Sequence, residues 1–336
     1  MATAIGAGYP TLASLKGLFP DGKYSAPIEM LSQVNGILED APVFEGNLDT
    51  GERTTIRTGL PQGTWRRFNQ GTQPVNSDES QVEFRCGMLQ ARIVADKRLV
   101  EIAADPAAYR ADRLKAAMEG LNQQMSSSLI YDKESLNPER ITGLGAYYAD
   151  LTSKSSENII DGAGTGTDNQ SIYLVGWGKD ATSLIYPRGT KAGIEHTDRG
   201  IQRIVDATGI AGAAYEAYED VIDWTVGLAV RNWAANVRIC NIDMSDLTPA
   251  VTAGADIGLL MRRGQDYVFR YVNKLRYSWL MSPRMYRTLN EQRRSNVVTG
   301  GGLTFENSNG MRMAMFDGIP IRLVDAMETD EARVVA

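Results

Sequence analysis

The sequence predicts an α+β protein, because segments with two different periods follow one another along the chain. Side chains alternate in character, with period two, over residues 54–58 and 82–88, which is typical of strands. Apolar residues recur every three or four positions over residues 106–131, which is typical of a helix. Helix-like and strand-like segments then intermingle up to the C terminus, and this mixture indicates the α+β class.

Composition sets broad limits on function. The chain has 336 residues, of which 43% are hydrophobic and 23% charged, so it is long enough for two domains or for one large domain with an insertion. With 35 Lys and Arg against 41 Asp and Glu, and no segment dense in basic residues, we expect no affinity for bare nucleic acid or anionic lipid. A single histidine, His196, removes most acid-base, nucleophilic and metal-binding arrangements, so we expect no enzyme.

The cysteines and the uncharged stretches of the sequence indicate the cellular compartment that the chain occupies. Cys86 and Cys240 lie in apolar, strand-like runs far apart, and we expect buried free thiols in a reducing compartment. The longest stretch without charge, Met1–Leu15, has no basic start and is shorter than the ~20 apolar residues that span a bilayer. We therefore expect neither a signal peptide nor a membrane span.

Residues 1–40 keep no single hydrophobic period, and we expect an arm that packs on something else. A connection of about twenty residues, 59–80, then joins the two period-two strands, which is unusual in a compact domain unless it has a function. We interpret it as a projecting hairpin whose large apolar side chains, Trp65 and Phe68, suit a partner surface better than solvent. The candidate partner contacts are Trp65, Arg66, Arg67 and Phe68.

A long helix should begin at Pro106, because Asp105 is a good N-cap and proline is tolerated at the first helical position. Its predicted apolar stripe consists of Leu114, Met118, Leu121, Met125 and Leu129. Core packing explains the methionines in this stripe better than a ligand role does.

A glycine-rich stretch, 158–169, invites a nucleotide-binding hypothesis. It lacks the Gly-Lys-Ser/Thr ending of a Walker loop and the G-x-G-x-x-G spacing of a dinucleotide motif, and a strand over 171–175 follows it. A nucleotide-using enzyme built on residues 161–167 therefore stays only as an alternative.

The second half of the chain predicts further elements in order. Strands are expected over 224–230, 234–242, 277–281 and 318–325. One helix should run from about Pro249 to Gly264 with Thr248 as its cap, and another should start at Ser282-Pro283.

Remaining polar residues receive structural interpretations. The pairs Asp243/Asp246 and Asp220/Asp223 lack a third ligand, so we expect solvated faces or helix caps, and no catalytic, cofactor or metal site. His196 should be a polar loop residue. The pairs Arg262/Arg263 and Arg293/Arg294 should each lie in the last turn of a helix, where cations complement the dipole.

Four segments of the second half of the chain carry a family resemblance: Tyr173–Gly193 (YLVGWGKDATSLIYPRGTKAG), Trp224–Asp243 (WTVGLAVRNWAANVRICNID), Trp279–Leu289 (WLMSPRMYRTL) and Phe316–Val324 (FDGIPIRLV). Together they resemble the major capsid protein of tailed bacteriophages with the Hong Kong 97 fold, particularly its short-tailed branch. The resemblance implies an N-terminal arm (1–40), an extended β-hairpin loop with flanking strands (41–105), a peripheral domain with a long spine helix (106–169), an axial domain (170–275) and a return to the peripheral domain (276–336).

The resemblance also implies a function. The chain would self-assemble as hexamers and pentamers into an icosahedral shell around double-stranded DNA, contacted without sequence specificity, and would need no cofactor or membrane. Portal, scaffold and cement or decoration proteins are further candidate partners, with assembly in the host bacterial cytoplasm and residence in the virion. Some members cross-link through a loop lysine, but this chain has no lysine between Lys23 and Lys97, so we expect no such bond. An encapsulin-like compartment with the same fold is the related alternative.

Overall fold

The computed structural model describes residues 33, 35–103, 105–152, 154–205, 214–249, 254–271, 274–295, 303–308, 311–327 and 330–335. Helices α1 to α6 span Ile37–Asp40, Lys97–Ile102, Pro106–Tyr131, Leu144–Tyr147, Ile257–Val268 and Pro283–Ser295. Strands β1 to β13 span Val43–Glu45, Gly51–Gly59, Asp78–Asp96, Ile159–Asp161, Asn169–Trp177, Thr182–Tyr186, Ile194–Val205, Ala214–Val230, Val237–Asp243, Arg276–Met281, Leu303–Ser308, Met311–Phe316 and Ile319–Leu323. Helices and strands intermingle, which confirms the predicted α+β class.

The chain divides into two compact units. Unit 1 consists of residues 1–33, 89–123 and 194–224, and unit 2 consists of residues 34–88, 124–193 and 225–336. Most of the predicted arm, residues 1–32 and 34, lies outside the described residues. Its last part belongs to unit 2, where Asp40 of α1 is buried and accepts hydrogen bonds from Arg322 at 2.6 and 2.8 Å.

Strand β5 lies inside the sheet of unit 2. It pairs antiparallel with β10 along one edge and with β9 along the other, and its last residue, Trp177, pairs with the start of β6. The sheet continues beyond β10 through the parallel strand β13, and beyond β6 through residues 227–230 of β8. All nine residues of β5 are buried, so both faces of the sheet are covered here.

One face of this sheet forms the main core of unit 2. Alternate positions of β5, β9, β10 and β13 contribute Ile172, Leu174, Val237, Ile239, Tyr277, Trp279, Met281, Ile319 and Ile321. Helices α5 and α6 cover this face through Leu260, Met261, Met285 and Leu289. Gly264 of α5 lies so close to the Trp279 indole that a Cβ there would be 3.1 Å from the ring, which explains a glycine inside a helix.

The opposite face of the sheet contains a buried ion pair between Arg238 of β9 and Glu331 near the C terminus, with an N–O distance of 2.9 Å. Arg238 also donates to Ser171 Oγ at 3.1 Å and to the Tyr148 carbonyl at 2.9 Å. Tyr131 donates its hydroxyl proton to the other oxygen of Glu331 at 2.7 Å. Because each charge is paired and hydrogen-bonded, removing one partner would cost about 3–5 kcal/mol.

Helix α5 differs from its prediction at both ends. It begins at Ile257 rather than near Pro249, and Asp256, not Thr248, caps it by accepting from the Leu259 N–H at 3.1 Å. It ends at Val268, so Gly264 lies inside the helix.

The predicted positions of the two arginine pairs, each in the last turn of a helix, are confirmed only in part. Arg262 and Arg263 lie in the middle of α5, not in its last turn, and Arg262 contacts Asp317 at 3.4 Å. Arg293 does lie in the last turn of α6, but its buried side chain pairs with Asp256 at 3.0 Å. Ser282 caps α6 as predicted, since its Oγ accepts from Met285 N–H at 3.1 Å.

The long helix α3 spans Pro106–Tyr131, which confirms its prediction. Asp105 accepts from the N–H groups of Ala107 and Ala108 at 3.1 and 3.0 Å, so it is the N-cap. The predicted stripe is buried only in its second half: Leu121, Met125 and Leu129 are buried, whereas Leu114 is half-buried and Met118 is 40% exposed.

Unit 1 contains a smaller core and an ionic cluster. Its core consists of Ala95, Leu99, Val100, Ala103 and Tyr109, with Tyr218 packed against them. Arg110 of α3 donates to both oxygens of Asp220 at 3.0 Å and contacts Asp198 at 2.8 Å.

Two polar interpretations are wrong in unit 1. His196 lies in strand β7 rather than in a loop, with Nε2 at 3.0 Å from Asp220 Oδ1. Asp220 is buried rather than solvated, and it pairs with both Arg110 and His196.

A third polar interpretation is wrong in unit 2. Asp243 is buried rather than solvated, and it accepts from Ser245 N–H and Oγ–H at 3.1 and 2.8 Å.

We predict that Leu129→Ala lowers the free energy of unfolding by about 2–5 kcal/mol, because the side chain is 1% exposed and leaves a cavity. Met118→Ala on the same stripe should cost less than about 1 kcal/mol, because that side chain is 40% exposed. Urea unfolding of the full chain measures both. Equal losses would contradict this orientation of α3.

Candidate inter-subunit surface

Strands β2 and β3 form an antiparallel hairpin in unit 2, as the alternating residues predicted. Residues Arg53 and Arg57 of β2 lie opposite Glu83 and Glu79 of β3, and the N–O distances are 2.9 and 3.6 Å. The hydrogen bond from Arg53 lowers the pKa of Glu83 from its ordinary value. The ladder ends where Gly59 pairs with Asp78, so residues 60–77 form the hairpin tip.

The base of the hairpin is anchored in unit 2. Phe84 of β3 is buried against Ile185 and Ala229. Glu52 of β2 forms an ion pair with Arg231, whose Nε donates at 2.9 Å, and both side chains are largely buried. These contacts fix the direction in which the two strands leave the sheet.

The tip is exposed. Trp65 is 100% exposed and Phe68 97% exposed. A short turn organises the tip: Gln70 N–H donates to the Arg67 carbonyl, and Arg67 N–H donates to Gln70 Oε1, both at 3.2 Å. The tip contains Arg66 and Arg67 but no carboxylate, and neither arginine forms an ion pair with a described residue.

This arrangement suits protein binding. Large apolar side chains that are fully exposed mark interaction sites more often than ordinary surface. Tryptophan and arginine are enriched among the residues that dominate binding energy at protein interfaces. Thus the hairpin combines an anchored base with a tip whose aromatic and cationic side chains lack partners among the described residues of the same chain.

The glycine-rich stretch has a structural explanation. Backbone N–H groups of Gly162 and Gly164 donate to carbonyls of β9, both at 2.8 Å, and Gly166 N–H donates to Asp243 at 2.7 Å. A Cβ at Gly164 would lie 2.6 Å from the Asn241 carbonyl oxygen. These glycines therefore allow the loop to lie directly on β9. Their N–H groups already donate hydrogen bonds to β9, so they are not available to bind a phosphate.

The described residues also give no support to a metal site, a reactive thiol or a membrane-spanning helix. No cluster of three or more His, Cys, Asp or Glu side chains suits a metal ion there. Both cysteines are free; Cys240 is buried as predicted, while Cys86 is half-buried. Burial raises the pKa of Cys86 to about 12 and that of Cys240 to about 11, so both stay protonated thiols at neutral pH. None of the described helices has the length and apolar character needed to cross a membrane.

Several solved structures are similar to this chain. The chain is similar to a chain in the cryo-EM structure of bacteriophage Epsilon15, with 27% identity, full coverage of both chains and a TM-score of 0.77. It also aligns with the capsid of bacteriophage JBD30 at 9% identity, covering 95% of this chain and 99% of that chain with a TM-score of 0.47. The holo-SrpI encapsulin complex of Synechococcus elongatus aligns at 9% identity, covering 70% and 96%, with a TM-score of 0.45. No curated protein matches the sequence.

The fold is thus that of the Hong Kong 97 type of phage capsid protein, as the sequence resemblance predicted. A family model described as major capsid protein GP7 matches residues 19–335. The chain belongs to this family, and it is a structural subunit of a bacteriophage capsid. Its place is therefore the virion, and the encapsulin-like alternative is not favoured.

We predict that Gly164→Ala destabilises the chain by about 1–3 kcal/mol, because its Cβ would overlap the β9 backbone. Gly63→Ala is the matched control, since a Cβ there meets nothing within 4 Å, and we expect a change within about 0.5 kcal/mol. Thermal unfolding of both variants measures this difference. Similar melting temperatures for the two variants would contradict the structural role of the glycine loop.

Proposed function

We propose that this capsid subunit assembles as hexamers and pentamers, and that the hairpin tip binds a neighbouring subunit. The observation that carries this proposal is the exposure of Trp65 and Phe68 at the end of an anchored hairpin. The candidate inter-subunit contacts are Trp65, Arg66, Arg67 and Phe68. Stable protein interfaces bury about 1,200–2,000 Å² in total, and exposed tips that cross to neighbours supply such area.

The family anatomy gives the proposed domain roles. We assign the arm to 1–40, the extended loop with its flanking strands to 41–105, and the peripheral domain with its spine helix to 106–169. The axial domain is assigned to 170–275, and the return to the peripheral domain to 276–336. The anchored β2–β3 hairpin supports the second assignment, and the 26-residue helix α3 supports the third.

The shell would enclose double-stranded DNA, assemble in the bacterial cytoplasm and have no catalytic activity. The compact glycine loop and the protonated thiols support the last point. Portal, scaffold and cement or decoration proteins are the further partners that we propose.

We predict that Trp65→Ala combined with Phe68→Ala leaves the unfolding free energy of the unassembled chain within about 0.5 kcal/mol, because both side chains are fully exposed. Shell assembly should weaken, since truncating a central interface aromatic costs about 2 kcal/mol or more per contact, at least about thirtyfold in affinity. Light scattering and electron microscopy measure assembly. Leu136→Ala, a 74% exposed side chain outside the tip, is the control and should assemble normally. A matching loss of fold stability in the tip variant would place the two rings in the subunit's own core.

We also predict that mature particles, boiled in denaturant and reducing agent, migrate as single chains of 36.8 kDa. The extended loop has no lysine to form an isopeptide bond, so shell contacts should be noncovalent. Gel electrophoresis tests this directly. A ladder of covalent oligomers would be incompatible with it.

A further inference from the structure

Residues 330–335 lie against the sheet of unit 2 without forming a helix or a full strand. They pair with β5 through an isolated antiparallel bridge, in which Glu331 N–H donates to the Asn169 carbonyl at 3.0 Å. The side chains of Glu331 and Val334 are buried, whereas the two residues between them are exposed. The segment therefore inserts two side chains, three positions apart, into unit 2.

The first of these side chains enters a pocket of hydrogen-bond donors. Tyr131 donates its hydroxyl proton to one oxygen of Glu331 at 2.7 Å. The other oxygen accepts from Ser171 Oγ and from Arg238, the latter at 2.9 Å. Arg238 is oriented by the Tyr148 carbonyl, to which it donates at 2.9 Å. Because arginine can only donate, this pocket fits a carboxylate better than the amide of glutamine.

The second side chain enters an apolar pocket. Val334 belongs to a buried cluster with Tyr148, Ile159 and Cys240. A branched aliphatic side chain fills this position without exposing apolar surface, whereas a charged one would be buried there without a partner.

A side-chain amide also binds the backbone of the segment. Asn241 Oδ1 accepts from Val334 N–H at 2.8 Å, and Asn241 Nδ2 donates to the Val334 carbonyl at 2.9 Å. Asn241 has a φ of 54°, a left-handed conformation that asparagine adopts more readily than most residues do. Backbone hydrogen bonds combined with pockets for separate side chains are typical of sites that recognise extended peptides.

We propose that this groove is a peptide-recognition site, in which residues 330–335 are the resident ligand and the same segment of a second copy of the chain can replace them. The recognised pattern is a glutamate followed, three residues later, by a branched aliphatic residue. The peptide groove, as we call it, is lined by Tyr131, Tyr148, Ile159, Ser171, Arg238, Cys240 and Asn241.

The chemistry of the groove favours such a replacement. An empty groove would leave Arg238 buried without its counter-charge, which is costly. A second copy offers the same carboxylate and the same aliphatic side chain at the same spacing. Subunits of a capsid are also held close together, which raises the effective concentration of the segment. The inference does not depend on the contacts proposed for the hairpin tip.

The test begins with the full-length variant Val334→Asp, which should displace the resident segment because its carboxylate has no partner in the apolar pocket. The probe is a fluorescently labelled synthetic peptide with the sequence of residues 330–336, DEARVVA. Fluorescence anisotropy should show that the peptide binds this variant about tenfold more tightly, or better, than it binds the unchanged chain, where the resident segment competes.

The matched control is Val335→Asp, which places the same charge on a neighbouring side chain that is 63% exposed. Its peptide affinity should equal that of the unchanged chain. A second peptide, in which glutamine replaces the glutamate, should bind Val334→Asp more weakly by about tenfold or more, because Arg238 loses a charged acceptor.

The thiol of Cys240 supplies an independent measure of occupancy, because it lies in the same cluster as Val334. In a Cys86→Ser background, this thiol should react with a soluble thiol reagent faster in Val334→Asp than in the unchanged chain. Addition of the DEARVVA peptide should restore the slow reaction, and the glutamine peptide should not.

Replacement by a second copy is tested by mixing two full-length variants. Asn241→Gly keeps the left-handed backbone at position 241 but removes both hydrogen bonds to Val334, so its own segment is held less tightly. Its intact segment should then enter the groove of Val334→Asp. Size-exclusion chromatography should show more dimer in the mixture than in either variant alone.

Three results would overturn the recognition site: equal peptide binding by Val334→Asp and Val335→Asp, equal binding of the two peptides, or a reactive Cys240 that the peptide does not protect. Peptide binding without mixed dimers would overturn replacement by a second copy. If Val334→Asp is insoluble, Val334→Ala takes its place, since it shortens the side chain without adding a charge, and the same order of affinities is expected.

Discussion

The complete burial of strand β5 is the constraint on which the larger unit depends. A strand buried on both faces must pair its backbone on both edges, and its polar side chains must find partners inside the protein. Ser171 bonds with Glu331 and Arg238, Gln170 accepts from Ser282 Oγ at 2.7 Å, and Trp177 donates to Ser278 Oγ at 2.7 Å. The partners come from β9, β10, the start of α6 and the C terminus. Distant parts of the chain must therefore meet at β5 before the unit is complete.

The two ends of the hairpin differ in packing: its base is buried in the sheet, whereas its tip is exposed. Its base is held by buried Phe84 and by the Glu52–Arg231 pair, both of which belong to the packed sheet. Beyond the end of the ladder at Gly59, the hydrogen bonds of the tip are local, at Arg67 and Gln70 and between Ser77 and Asn76. The side chains of the tip therefore contribute little to the packing of the unit, whereas those at its base are part of that packing.

Local signals in the sequence predicted many of the elements, and long-range partners account for the failures. The alternation of side-chain character over residues 54–58 and 82–88 predicted the two hairpin strands. Asp105-Pro106 and Ser282-Pro283 predicted two helix starts, because capping depends on a few neighbouring residues. Helix α5 begins later than predicted, and its cap Asp256 also pairs with Arg293 of α6, a contact that no local pattern reveals. Likewise, the burial of Asp220 depends on Arg110, which is 110 residues away in the sequence. The projecting tip was predicted from the residues between the two hairpin strands, and Trp65 and Phe68 are fully exposed there.

Average charge conceals the distribution of charge for a similar reason. The net charge of -6 describes the whole chain, whereas the arginines of α5 and α6 are spaced along two helices that the fold sets on one sheet face. Three arginines between residues 254 and 295 form ion pairs within the chain: Arg262 with Asp317, Arg276 with Asp40 and Arg293 with Asp256. These pairs form only in the folded unit, so the charges balance in space rather than along the sequence.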